Sequence, residues 1–265
     1  RMRVHALSLH KKLLISYLAL SALCLMPFAL ISSIEASQLS ERSALYSAQQ
    51  AMDQAADSIE FRMKSLRRAN YTFAYSEETV NIFSKNPEAN SLTEQLSDRD
   101  TLENMLRRIR LAYPDTVTAV HLYMNDQFLY VSPRSESFWS YEGLRDTPWF
   151  QAMQAAGRFS YYIPPAWNLS ADVVSVAHLI SNPHNYAESI GAVVTDTPVS
   201  ALVDILKKCA VTENSYCYLV NESDVMVASS DPERMLPMPK AAANALQSGQ
   251  AVRSNDRRVS ARAID

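Results

Sequence analysis

The sequence predicts an α+β protein. An N-terminal transmembrane helix continues into a long helix, which leads to an antiparallel-sheet module and the start of a second module of the same kind. Three observations predict this. A basic N-terminus runs into an apolar stretch over 13–34. An apolar repeat of seven then extends to Val80 without a Gly or Pro. From Val117 the pattern changes to that of strands, and one hairpin pattern occurs twice, at 117–132 and 215–229.

Arg1, Arg3, Lys11 and Lys12 precede the apolar stretch, and no acidic residue appears before Glu35. Residues 13–34, at about 1.5 Å each, give about 33 Å of helix, enough for a hydrocarbon core of about 30 Å. The basic flank keeps 1–12 in the cytoplasm as a short tail, so the rest of the chain lies outside the cell membrane. A cleaved signal peptide would have a shorter apolar region and a small-x-small site. Residues 31–37 offer only weak candidates, so the segment reads as a retained anchor. Pro27 is compatible with a membrane span. The chain starts with Arg and stops at Asp265 in a polar stretch, and reads as a fragment of a longer protein.

The exported part can build a core, since 48% of the chain is hydrophobic. A net charge of -3 gives no reason to expect nucleic acid as a partner. Cys209 and Cys217 lie outside and are either buried free thiols or a pair.

In the long helix, Leu45, Met52, Ile59, Leu66, Phe73 and Val80 recur at a spacing of seven. Such a stripe packs on its own domain, meets a second copy in a parallel homodimer, or does each along different stretches. Asn86-Pro87 ends this helix. A second helix covers about 91–112, with Ser97 or Asp98 able to cap a continuation. A turn at Tyr113-Pro114-Asp115 precedes a strand at 117–124, a turn at Asn125-Asp126 and a return strand at 127–132. An irregular stretch fills 133–148. Pro148 opens a short helix that Gly157 closes. Strands follow at about 159–163, 172–181 and 189–196, and Pro198 starts a helix to about Ala210. The domain plan is therefore 35–210 for the long helix and first module, and 211–265 for a truncated second.

Catalytic patterns are missing. The chain has four glycines and no Gly-rich phosphate loop. Its exported histidines and cysteines lack metal-ligand spacing, so no metal or cofactor is expected. His121 and His178 fall in strand patterns and read as structural. The residues instead suggest a binding pocket. Arg145 and Asp196 suit a ligand carrying both charges, and Trp149, Tyr161, Tyr162 and Trp167 would supply aromatic walls. Each has a plainer alternative: Trp149 and Phe150 as helix core, Arg145 as a surface ion-pair partner, and Asp196 as a helix cap.

Several motifs stand in a telling order. They are Thr147-Pro148-Trp149-Phe150-Gln151-Ala152-Met153, Tyr161-Tyr162-Ile163-Pro164-Pro165, Val173-Val174-Ser175-Val176-Ala177 and Gly191-Ala192-Val193-Val194-Thr195-Asp196. Behind a membrane helix and a long helix, this order resembles the double Cache extracytoplasmic sensor domain, most of all the versions on YesM-type sensor histidine kinases. The resemblance covers roughly residues 10–260. It implies two stacked PAS-like modules on the long helix, with the ligand in the membrane-distal one. In the amino-acid-binding branch an Arg precedes the Trp by two residues; here that position is Thr147 and the nearest Arg is Arg145. That branch's upstream Tyr falls near Glu142, with Tyr141 one place away. Trp149 and Asp196 match, and Phe150 stands where the branch has a Tyr.

The resemblance implies a ligand-sensing region of a membrane-bound receptor, foremost a two-component histidine kinase whose catalytic domains lie outside this chain. Its ligand would be a carbohydrate, amino acid or peptide, or a ligand-binding lipoprotein. The same sensor on an AraC-type regulator or a chemoreceptor is one alternative. An anchored exported enzyme or adhesin is another, and a dimerisation segment a third.

Overall fold

The computed structural model describes residues 9–128, 136–168, 170–209, 215–220, 226–231, 252–254 and 257–259. It contains two compact units, 1–50 and 51–265. In the first, the described residues form helix alone, and the apolar side chains between Leu13 and Ile34 are exposed. This stretch belongs to the one helix among the described residues that is long and apolar enough to cross a membrane.

That helix, α1, runs Leu9–Ala74. Within the second unit its stripe is core: Ala55, Ile59, Met63, Leu66 and Phe73 are all buried. The helix does not continue to residue 84 as its sequence suggests. Ser76 caps a separate helix α2, Glu77–Ser84, its hydroxyl accepting from Thr79 N–H at 3.2 Å. A serine followed by two acidic residues is a helix start. Val80 therefore belongs to α2.

Helix α3, Leu92–Ala112, is capped by Ser91 in a capping box with Glu94. It passes through Ser97 and Asp98 without interruption, so neither is a cap; Asp98 instead holds Lys85 Nζ at 2.6 Å.

Strand β1 (Ala119–Met124) is followed by a 3-10 turn at Asp126–Phe128 rather than the expected return strand. The remainder of that expected strand, 129–132, lies outside the described residues. Strand β2 (Phe138–Ser140) lies in the stretch expected to be irregular and pairs parallel to β1. Then come helix α4 (Pro148–Ala155), strands β3 (Ser160–Ile163), β4 (Val173–Asn182) and β5 (Asn185–Pro198), and helix α5 (Val199–Lys207). The sheet order is β2-β1-β5-β4-β3, antiparallel except for β1 with β2.

Two glycines do particular work. Gly157 has φ +61 and ends α4 in a Schellman turn. Its N–H donates to Gln154 O at 3.0 Å, and Arg158 N–H donates to Met153 O at 3.1 Å. Gly191, opposite Met124, lets β1 and β5 approach: a Cβ there would lie 2.7 Å from Tyr123 O.

The period-two alternation of strands divides the side chains between two faces. Val120, Leu122, Val174, Val176, Ile180 and Val193 face one core with α1, α2, α3 and α5. Tyr123, Ile163, Ala177, Leu179, Ala192 and Val194 face a second core with Trp149, Phe150 and Met153 of α4. Asn70 of α1 is fully buried in the first. Its Nδ2 donates to Val176 O at 2.7 Å, and its Oδ1 accepts from Thr195 Oγ1 at 2.6 Å.

Beyond α5, β6 (Tyr218–Val220) and β7 (Met226–Ser229) form the antiparallel hairpin the sequence suggests, and its turn lies outside the described residues. Ala228 is buried with Leu206 and Cys209. A further short pair joins β8 (Val252–Ser254) to β9 (Arg257–Val259).

Candidate ligand-binding face

Asp196 is the hub of the α4-side face. The register sets it opposite Ala119 on β1 and Ser175 on β4. Its Oδ2 accepts from His121 Nε2 at 2.9 Å, and its Oδ1 accepts from the Ser175 hydroxyl. Asn168 Nδ2 donates to Ser175 Oγ and extends the chain of contacts. Asp196 is not the cap of α5. Pro198 occupies that position without a side-chain hydrogen bond, and the Asp196 backbone carbonyl accepts from Thr118 N–H at 2.9 Å.

His121 has its other ring nitrogen, Nδ1, 3.1 Å from the carbonyl oxygen of Glu136. A carbonyl and a carboxylate only accept, so both contacts are hydrogen bonds only when both ring nitrogens carry hydrogen, and the geometry favours the protonated ring. Burial lowers the affinity of His121 for its second proton. The hydrogen bond and charge of Asp196, together with the Glu136 carbonyl, outweigh burial and raise its pKa above the ordinary value. The buried Tyr123 hydroxyl is pushed up to about 12, first by burial and then by the charge of Asp196. With His121 protonated, the hub is an ion pair of no net charge, and the Ser175 hydroxyl donates beside it.

Aromatic rings surround this centre. Trp139 of β2, partly exposed, meets His121 edge-on at 5.3 Å and Tyr123 at 5.8 Å. Trp149 and Phe150 of α4 are buried and perpendicular to one another at 5.9 Å. Tyr161 and Trp167 are parallel, with centroids 6.5 Å apart, and pack on the same core. Tyr141 packs on Phe150, and its hydroxyl meets Ser189. Burial raises the Tyr141 pKa, partly offset by the Ser189 hydrogen bond and the charge of Arg145.

Of the residues singled out from sequence, Trp149, Phe150, Tyr161, Trp167 and Asp196 share this face. Arg145 is exposed in the turn before α4, where its charge acts on Tyr141. Tyr162 does not belong with them. It is opposite Val176 and packs on the α1 side, where Lys64 and Arg67 act on its hydroxyl, because neighbours in a strand point to opposite faces. His121, Tyr123, Ser175, Trp139 and Asn168 were missed as site residues. The signal for two of them was the alternation of β1, where His121 and Tyr123 interleave with Val120 and Leu122. Among the described residues, no group of three His, Cys, Asp or Glu side chains is placed to hold a metal ion.

No protein-family model matches the chain, and no curated protein matches it. Solved structures do. Methyl-accepting chemotaxis protein X aligns over 80% of this chain and 85% of its own, with a TM-score of 0.50 and 15% identity. The sensory domain of the Campylobacter jejuni chemoreceptor Tlp3 aligns over 88% and 90%, with a TM-score of 0.45 and 15% identity. The ligand-binding domain of the Pseudomonas fluorescens chemoreceptor CtaA, in complex with L-isoleucine, aligns over 78% and 79%, with a TM-score of 0.45 and 14% identity. What is shared with methyl-accepting chemotaxis protein X is the fold: a long N-terminal helix and an antiparallel-rich sheet.

Proposed function

We propose that this chain is the ligand-sensing region of a membrane receptor, anchored by the apolar part of α1, with the sheet unit outside the membrane. The observation that carries the reading is Asp196, a carboxylate on a mostly apolar and aromatic sheet face, held by two donors on two other strands. A carboxylate in such a setting, if structural only, is costly unless paired, and a pocket uses the same few convergent polar groups to orient a ligand. The ligand is a small molecule with a hydrogen-bond donor for Asp196, an amine or a hydroxyl, and an apolar part for Tyr161 and Trp167. A carbohydrate, an amino acid and a short peptide all fit that description.

The His121–Asp196 pair separates these classes. An ammonium ligand competes with the imidazolium for Asp196, and binds more tightly as rising pH removes the His121 proton. A neutral hydroxylated ligand lacks that gain. The test is calorimetry on the chain in detergent micelles, with amino acids including L-isoleucine, sugars and short peptides as probes. A binder should lose at least about tenfold in affinity in Asp196→Asn, the scale of one charged hydrogen bond. Unchanged affinity would remove Asp196 from the site.

Ligand binding signals only if one receptor state binds it better than the other. We place the output first with a histidine kinase, on the motifs that resemble YesM-type sensors, with a chemoreceptor as the alternative and homodimerisation through α1 in both. Sequencing the coding DNA downstream of Asp265 decides. A His-bearing dimerisation helix with an ATP-binding domain supports the kinase, and a methyl-accepting coiled coil the chemoreceptor.

A further inference from the structure

Two cysteines meet at the edge of the α1-side core. Cys209 follows the last turn of α5, its N–H donating to Leu206 O at 3.0 Å. It is buried, with its Sγ 3.6 Å from Ala51 O of α1 and 3.8 Å from Ile205 O. Cys217 leads into β6 and is pinned by Ser230. Its N–H donates to Ser230 Oγ at 2.9 Å, and its carbonyl accepts from Ser230 N–H at 2.8 Å. Cys217 is half-buried against the core that contains Cys209, and each thiol is near enough to act on the other's proton affinity. Both backbones are therefore held by hydrogen bonds at the edge of one core, with the two cysteines as neighbours.

We propose that Cys209 and Cys217 are a dithiol that closes to an intramolecular disulfide, stapling the end of α5 to the β6–β7 hairpin. The inference does not depend on ligand sensing. The oxidant is a disulfide, such as oxidised glutathione or the active-site disulfide of a thiol oxidase. Cys217, the more exposed, attacks as thiolate, joins one glutathione sulfur and expels the other as a thiolate. Cys209, as thiolate, then attacks Cys217 Sγ and expels the second. One S–S bond forms and one breaks, and the two thiol protons end on the two glutathione sulfurs.

Burial holds both thiols above the usual range, Cys217 at about 12. Little thiolate is present at neutral pH, so uncatalysed closure is slow. The same setting gives the reduced form no thiolate stabilisation, so the bond, once formed, resists reduction.

The test uses the full chain in detergent with Cys24→Ser, which leaves only this pair. The reduced protein is exposed natively to oxidised glutathione, acid-quenched, denatured, alkylated and weighed. Neither thiol should then take the alkylating label, and cleavage at Glu213 should leave two pieces joined until dithiothreitol is added. Adding Cys209→Ser should stop the reaction at a Cys217–glutathione adduct. Full alkylation of both thiols after oxidant, or a separate glutathione on each, would overturn the proposal. So would a lower melting temperature for the oxidised form than for the reduced one, because the bond would then strain the fold.

Discussion

The two faces of the five-stranded sheet handle a buried histidine in opposite ways. On the α1 side, His178 is 4% exposed and framed by the rings of Tyr71 and Tyr75. Ser160 meets its Nδ1, and its Nε2 has no hydrogen-bond partner among the described residues. Burial, with a contribution from the Arg67 charge, drives its pKa down to about 4, so it is neutral. On the α4 side, His121 has an acceptor on each nitrogen, which favours its charged form. On the α1 side Asn70 is fully paired, while the Tyr162 and Thr197 hydroxyls, like His178 Nε2, are buried without a hydrogen-bond partner among the described residues. The α4 side keeps an ion pair beside a partly exposed tryptophan. That ion pair is why the proposed ligand site is assigned to the α4 face rather than to the α1 face.

The comparison breaks first if the α4 face is not packed. Trp149→Ala and Leu66→Ala remove a buried side chain from each side. We expect losses of about 3–5 kcal/mol for the tryptophan and about 2–5 kcal/mol for the leucine in urea unfolding. A loss under about 1 kcal/mol for Trp149→Ala would make it a cavity wall rather than core. The histidines come next, with opposite signs. A lowered folded-state pKa means that His178 costs stability as pH falls from about 6.5 to about 4, by roughly 2–3 kcal/mol in all. His178→Gln should flatten that acid limb. An acid limb as steep as the wild type's would show that His178 takes up its proton without cost. Asn70→Ala leaves Val176 O and Thr195 Oγ1 without their partner and should cost about 1–3 kcal/mol at any pH between 5 and 9. The smallest effect belongs to His121. Its raised pKa gives stability that is full below the unfolded value near 6.5 and is lost as pH rises through the folded value. In His121→Gln, urea midpoints should lose that alkaline decline; an unchanged decline would place its origin elsewhere.

Much of the architecture was legible. The stripe through Ile59, Leu66 and Phe73 is what α1 buries, and Pro148 and Gly157 bound α4 because one fixes φ and the other accepts a positive φ. Strand β2 was not legible. Three residues carry no periodicity, and its parallel partner lies well before it in the chain. The break before α2 was missed because Ser76 stops a helix by capping the next one, with no Gly or Pro to mark it. At the site, Asp196 and the aromatics of α4 stand out locally. Their assembly with His121 does not, since that contact spans 75 residues and depends on the β1–β5 register. Tyr162 was misplaced beside Tyr161 because an aromatic pair in a strand reads as one patch until its faces are separated.

The burial of Asn70 bears on how the protein can be made. Asn70-Tyr71-Thr72 is an acceptor triplet for N-linked glycosylation. A eukaryotic secretory pathway attaches sugar as the chain emerges, before α1 docks. A glycan on that amide would remove the donor to Val176 O and put a bulky hydrophilic group where the folded chain has no exposed surface. Material from such a host would divide into a folded, sugar-free fraction and a modified fraction unable to close its core. A bacterial host, or Thr72→Ala, which keeps Asn70 and abolishes the triplet, avoids that division.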